Sequence, residues 1–189
     1  MNKRGKTFII SGPSGVGKST VLHALFAGRD DLYFSVSATT RGPRQGEIDG
    51  VHYHFIDDDA FLKMIDRDQL LEHAGYAGNF YGTPRIPVDE ALAQGRDVML
   101  EIDVQGAFQV RERFPEAHLV FIEPPSMEEL ERRLRSRGTE TDEVVQARLA
   151  AAKLELSRKM EYDIRFVNDN IDQATAELVD YVNQCAENQ

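Results

Sequence analysis

Gly12-Pro13-Ser14-Gly15-Val16-Gly17-Lys18-Ser19 brings a glycine-rich turn, a lysine and a hydroxyl together at the G-x-x-x-x-G-K-[ST] spacing. Glycines let the backbone curl so that successive N–H groups converge on one anion, and the positive end of the following helix dipole adds to the field. In such a loop Lys18 reaches the β- and γ-phosphates of a nucleoside triphosphate, and the Ser19 hydroxyl is an oxygen ligand for Mg²⁺. A bare β-α turn would need neither a lysine nor a serine at those two places.

Other residues carry chemistry that a phosphate loop can use. Asp103 closes the apolar run Val98-Met99-Leu100-Glu101-Ile102. A carboxylate at the C-terminal end of a parallel strand lies where such sheets bind ligands, and it can hold Mg²⁺ directly or through water. Glu101, two residues earlier, points to the same side. Arg41 and Arg44 flank Gly42-Pro43. Alone they read as solvated loop arginines; beside a phosphate loop they read as a bidentate clamp for a second phosphate. Tyr53 and Tyr81 are phenolic donors for the same anion, or else rim or core aromatics. The run Arg132-Arg133-Leu134-Arg135-Ser136-Arg137-Gly138 is either a solvated helix end or a mobile segment whose arginine closes on a transferring phosphoryl group. Arg137 and Arg148 are the candidates for that role.

These residues need elements to position them. Thr7–Ile10 reads as a strand before the loop, and the residues after Ser19 read as a helix stopping at Gly28. Tyr33–Ser37 reads as the next strand. Val51–Phe55 alternates as a strand, and Asp57 or Asp58 caps a short helix carrying Phe61, Leu62 and Ile65. Leu70–Tyr76 and Asn79–Gly82 read as strands around a glycine turn. Helix and strand then alternate. Pro87–Gln94 is helical, Val98–Asp103 a strand, Gln105–Phe114 helical, and Leu119–Ile122 a strand buried on both faces. Ser126 and Glu129 form a capping box for the next helix. A longer helix follows over about 142–159. Ile164–Val167 is the last strand, and Ile171, Ala174, Leu178, Val182 and Cys185 repeat at helical steps.

The expected fold class is therefore α/β, a P-loop three-layer arrangement with a parallel sheet flanked by helices, a small β-rich insertion and a helical lid. The single domain 1–189 divides into a core (1–37, 86–125 and 160–189), the insertion (38–85) and the lid (126–159).

Bulk properties narrow the class. The 189 residues are 41% hydrophobic and 29% charged, as in ordinary globular domains. A formal net charge of −10 argues against nucleic acid as a partner. The one cysteine, Cys185, cannot form an internal disulfide, which fits a reducing compartment. The basic N-terminus has no h-region after it, and no apolar run spans a bilayer. A cytoplasmic protein with no membrane partner is expected, its oligomeric state open.

Taken together, the chain resembles the guanylate kinase family over about residues 6–185. The resemblance rests on Ser11–Thr20, Phe34–Arg44, Gly46-Glu47 with Gly50 and Tyr53, Asn79–Thr83, Ile102–Gly106, Phe121–Ser126, Arg137–Thr141 and Val167–Asp169. It implies ATP + GMP ⇌ ADP + GDP, with dGMP as a further acceptor, in purine nucleotide metabolism. It implies ATP as co-substrate, Mg²⁺ as cofactor, and the triphosphate on Gly12, Pro13, Ser14, Gly15, Val16, Gly17, Lys18, Ser19 and Thr20. Asn168 would lie by the adenine. Arg41, Arg44, Tyr53 and Tyr81 would hold the GMP phosphate. Glu72 would accept from the guanine edge, with Ser37, Thr83 and Asp103 completing the pocket. Lys18, Arg41, Arg137 and Arg148 would be the catalytic cations, and Ser19 and Asp103 the metal oxygens. Phe80 stands where many relatives have Tyr and Glu101 where some have Asp, neither of them a position assigned to phosphate or Mg²⁺. Two rivals stand beside this reading: a kinase for another monophosphate such as AMP or dTMP, and a non-catalytic guanylate-kinase-like module that binds phosphorylated partners.

Overall fold

A computed structural model of the chain describes residues 4–76, 78–136 and 141–187. In chain order the elements are β1 (Thr7–Ser11), α1 (Lys18–Leu25), β2 (Leu32–Phe34), β3 (Ala38–Thr39), β4 (His54–Phe55), α2 (Asp58–Asp66), β5 (Leu70–Tyr76) and β6 (Asn79–Pro84). There follow α3 (Arg85–Ala93), β7 (Asp97–Glu101), α4 (Val104–Arg113), β8 (His118–Glu123), α5 (Met127–Ser136), α6 (Asp142–Ser157), β9 (Ile164–Val167) and α7 (Ile171–Glu187). A 3₁₀ turn at Lys159–Glu161 separates α6 from β9. The fold class is α/β as expected: a parallel five-stranded sheet in the order β2-β7-β1-β8-β9 with helices between its strands. Among the described residues no helix is long and apolar enough to cross a membrane.

The chain divides into two compact units, one holding residues up to Ile9 with Asp31–His118, the other Ile10–Asp30 with the residues from Leu119 onward. In the first, β2 runs parallel to β7 with Tyr33 opposite Val98, and the Val98 N–H donates to the Lys6 carbonyl at 2.7 Å. The same unit carries a second sheet in the order β4-β3-β6-β5. There β5 and β6 pair antiparallel through a bulge between Leu70 and His73. Ala38, Phe61 and Leu70 form the core under this small sheet, with Phe80 stacked on Phe61 at 5.5 Å. The Asp57 carboxylate caps α2 by accepting from the Ala60 N–H at 2.7 Å, one of the two caps the sequence offered.

In the second unit β8 pairs parallel with β9, and Leu119, Val120, Phe121 and Ile122 are all buried. Leu130 and Leu134 of α5 pack on Val145, Leu149 and Ala152 of α6. The Ser126 hydroxyl caps α5 by accepting from the Glu129 N–H at 3.1 Å.

Three sequence expectations are corrected. Val51–Phe55 is not one strand: His54 and Phe55 pair parallel to β3, Tyr53 makes an isolated bridge to Asp49, and the Val51 and His52 N–H groups donate to the Ile48 carbonyl in a turn. Tyr33–Ser37 is cut short: β2 runs Leu32–Phe34, and the next strand, β3 from Ala38, belongs to the smaller sheet. The Glu129 carboxylate does not act as the far half of the capping box. Arg132 and Arg133 each donate to it at 2.7 Å, which holds it down to about pKa 2.

Candidate active site

In the second unit, Gly12–Ser19 joins β1 to α1. Gly12 has φ 148°, and a Cβ there would run into the Ile122 carbonyl. Gly17 has φ 98° at the N-cap of α1, and a Cβ there would lie 2.6 Å from the Asn168 Nδ2. Both positions therefore require glycine. The Lys18 ammonium folds over the loop and donates to the Gly12 carbonyl at 2.6 Å and, more weakly, to the Pro13 carbonyl at 3.4 Å. The Val16 N–H closes the turn on the Pro13 carbonyl at 3.1 Å.

Side chains distant in sequence buttress this loop. Arg148 of α6 donates to the Ser14 hydroxyl at 2.9 Å. The buried Asn168 donates from Nδ2 to the Val16 carbonyl at 2.8 Å. Arg133 reaches the Asn168 carbonyl at 3.0 Å and the Val16 carbonyl at 3.4 Å. Sequence reasoning missed Arg133 because its run of arginines reads equally as a solvated helix end. Arg137, the lid candidate, lies outside the described residues.

In the first unit, two groups of site residues gather. Arg41 lies over the Tyr53 ring at 5.4 Å from its centroid and near Phe55 at 5.7 Å, within cation–π range. Tyr53 meets Tyr81 edge-on at 6.1 Å. The hydrogen bonds to Glu47 chiefly raise the Arg41 guanidinium's pKa, and a side-chain hydrogen bond to Tyr81 adds to this. Burial, and secondarily the Glu101 charge, push the Tyr53 hydroxyl upward, so it stays a donor at neutral pH. The Arg44 side chain is exposed on the same loop. Glu47, absent from the sequence-derived site, is bound bidentately to Arg41.

The second group centres on Glu72, only 5% exposed. Thr83 donates its hydroxyl proton to Glu72 Oε1 at 2.7 Å. Burial outweighs that bond and, with the Asp103 charge, pushes the Glu72 carboxyl up to about 7. Asp103 does not end β7, as the sequence reading had it, since that strand stops at Glu101. It caps α4 instead, Oδ1 accepting from the Gly106 N–H at 2.8 Å. Ser37 sits half-buried just before β3, its carbonyl accepting from the His54 N–H at 2.9 Å.

One unit thus carries a glycine-rich loop with Lys18, and the other carries Arg41 against Tyr53 and Tyr81 together with the buried carboxylate of Glu72. The guanylate kinase family model matches residues 4–185. The chain belongs to the guanylate kinase family. A guanylate kinase from Synechococcus sp. (strain JA-3-3Ab) is 53% identical over 175 residues, covering 93% of this chain and 81% of that one. One from Thermobifida fusca (strain YX) is 53% identical over 171 residues, covering 90% of this chain and 87% of its own. Among solved structures, the crystal structure of guanylate kinase from Anaplasma phagocytophilum superposes with a TM-score of 0.80 at 34% identity, covering 97% of this chain and 87% of that chain.

Proposed function

We propose that the chain transfers the γ-phosphoryl group of ATP to GMP, and to dGMP, giving ADP and GDP or dGDP. The buried Glu72 supports this reading most strongly. A buried carboxylate held by Thr83 suits the paired N1–H and amino donors of guanine, and adenine lacks that pair. An AMP would leave the buried carboxylate with no base donor beside its Thr83 bond, a desolvation cost of about 1–3 kcal/mol.

The triphosphate belongs to the Gly12–Thr20 loop, with Lys18 on its β- and γ-phosphates and Arg148 beside Ser14. The insertion 38–85 binds GMP, with Arg41, Arg44, Tyr53 and Tyr81 on the phosphate and Glu72, Thr83, Ser37 and Asp103 on the base side. A phosphate oxygen of GMP forms the new bond to the γ-phosphorus, and the bond to the β,γ-bridging oxygen of ATP breaks, leaving on ADP. The attacking oxygen is already anionic at neutral pH, so no side chain has to remove a proton. Catalysis then comes from positioning and from neutralising charge on the moving phosphoryl group.

Magnesium would add charge neutralisation on the nucleotide phosphates. Among the described residues no three His, Cys, Asp or Glu gather as a metal site. That suits an ion held mainly by phosphates and water with one or two protein oxygens. The Ser19 hydroxyl is the oxygen we assign to it. Asp103, with Oδ1 used in capping α4 and its charge felt by Glu72, belongs on the base side. Nucleotide substrates and a single cysteine, which leaves no internal disulfide to form, favour a cytoplasmic setting.

Turnover with ATP, Mg²⁺ and a panel of nucleoside monophosphates tests the assignment. GMP should be preferred over AMP and dTMP in kcat/KM by at least about 100-fold, and comparable use of AMP would refute it.

A further inference from the structure

One charged group in the first unit that the sequence did not assign is held by three hydrogen bonds. Glu47 accepts from Arg41 Nη1 at Oε2 and from Arg41 Nη2 at Oε1, both at 2.9 Å. Its Oε2 also accepts from the Arg44 backbone N–H at 2.7 Å. The Glu47 N–H returns a bond to the Arg44 carbonyl at 3.0 Å, and Gly46 makes the reversal possible at φ 86°. The Arg41–Glu47 pair is shielded, with side chains only 14% and 18% exposed. A bidentate fork in such a place is oriented and strong, unlike an exposed ion pair. Arg41 and Arg44 are the only carriers of positive charge in the Thr39–Glu47 loop, and one carboxylate fixes the Arg41 guanidinium and the Arg44 main chain.

We propose that Glu47 is a positioning residue for the acceptor phosphate: its carboxylate presets Arg41 and the Arg44 backbone as one rigid clamp. This rests on the reading that those two arginines bind the phosphate of GMP. The Glu47 fork and the Gly42 carbonyl engage three of the five guanidinium N–H groups of Arg41. Two remain to meet an anion and the Tyr81 hydroxyl. Tyr53 and Phe55 limit the guanidinium on its face while Glu47 limits it on its edge. An arginine so held gives up less side-chain freedom when a phosphate arrives.

Charge alone predicts the opposite. A carboxylate beside an anion site repels the anion, so removing its charge would tighten GMP binding. Calorimetric affinities for GMP and for guanosine, which lacks the phosphate, separate the two effects. In Glu47→Gln, GMP binding should weaken by about 10- to 100-fold, the worth of a charge-assisted hydrogen bond. Guanosine binding should stay within about threefold, since the base side is untouched. Glu47→Asp keeps the charge with shorter reach, so it should weaken GMP in the same direction but less, and it serves if the glutamine variant does not fold. Unchanged or tighter GMP binding overturns the proposal, and so does an equal loss for GMP and guanosine. Arg41→Met is the control. If it leaves GMP binding intact, the clamp reading itself fails; if it weakens GMP while Glu47→Gln does not, only the role of Glu47 fails.

Discussion

Gly106 of α4 lies so close to Glu72 that a Cβ on it would sit 2.7 Å from the carboxylate Oε2. The helix has to be hydrogen at this point for the carboxylate to hold its place against Thr83. Gly106→Ala would normally favour a helix by about 1 kcal/mol. Here the added methyl meets a buried, hydrogen-bonded group, and overpacking of that kind costs about 1–3 kcal/mol. The variant should therefore melt lower and show a KM for GMP raised about tenfold, with the KM for ATP unmoved. Thermal denaturation and steady-state kinetics check it; a higher Tm with normal GMP affinity would show that the pocket has slack.

Acidity should act through Glu72. Its folded pKa is raised to about 7, above the ordinary carboxylate value, so the native chain holds more protons than the unfolded chain between those two values. Stability from this group is thus present at low pH and is lost as pH rises toward 7, by an amount on the order of 3 kcal/mol. Guanine needs the ionised form, so the KM for GMP should climb about tenfold per pH unit below 7. Glu72→Gln should flatten that pH profile, raise the apo Tm at pH 8 and lower the preference for GMP over AMP. A KM for GMP that stays flat from pH 8 to 6 would contradict this.

Lys18 donates to the Gly12 carbonyl within the loop it serves. Lys18→Ala removes the ammonium but no packed apolar group, so circular dichroism should stay native while kcat falls by about 100- to 1,000-fold, as for loss of one preorganised donor. A near-normal kcat would remove the loop from the chemistry.

Asn168 holds the Val16 carbonyl from a buried position. Asn168→Ala strands that carbonyl except for the longer Arg133 contact of 3.4 Å, at a cost of about 1–3 kcal/mol. The KM for ATP should rise and the KM for GMP should not; a matched rise in both would mean that the variant acts through global stability.

Much of the fold was legible in the sequence, because the Gly12–Ser19 loop is a local object whose glycines, lysine and serine lie within eight residues. The α/β rhythm was legible for the same reason, as in the buried run Leu119–Ile122. The roles set by distant partners were not. The resemblance put Asn168 at the adenine, and only the fold shows its amide spent on the Val16 carbonyl. Val51–Phe55 alternates as a strand should, yet Val51 and His52 turn onto the Ile48 carbonyl and only the end of the run, His54–Phe55, joins the small sheet. Nothing local reveals that Gly106 borders Glu72, 34 positions away, or that Glu47 grips two arginines.

The central claim, that the γ-phosphoryl group moves from ATP to the phosphate of GMP, is tested most directly by following labelled phosphorus. With γ-³²P-labelled ATP, Mg²⁺ and an equimolar mixture of GMP and AMP, the label should appear in GDP, in step with ADP. Label accumulating in inorganic phosphate, or in a second ADP pool made from AMP, would contradict the account.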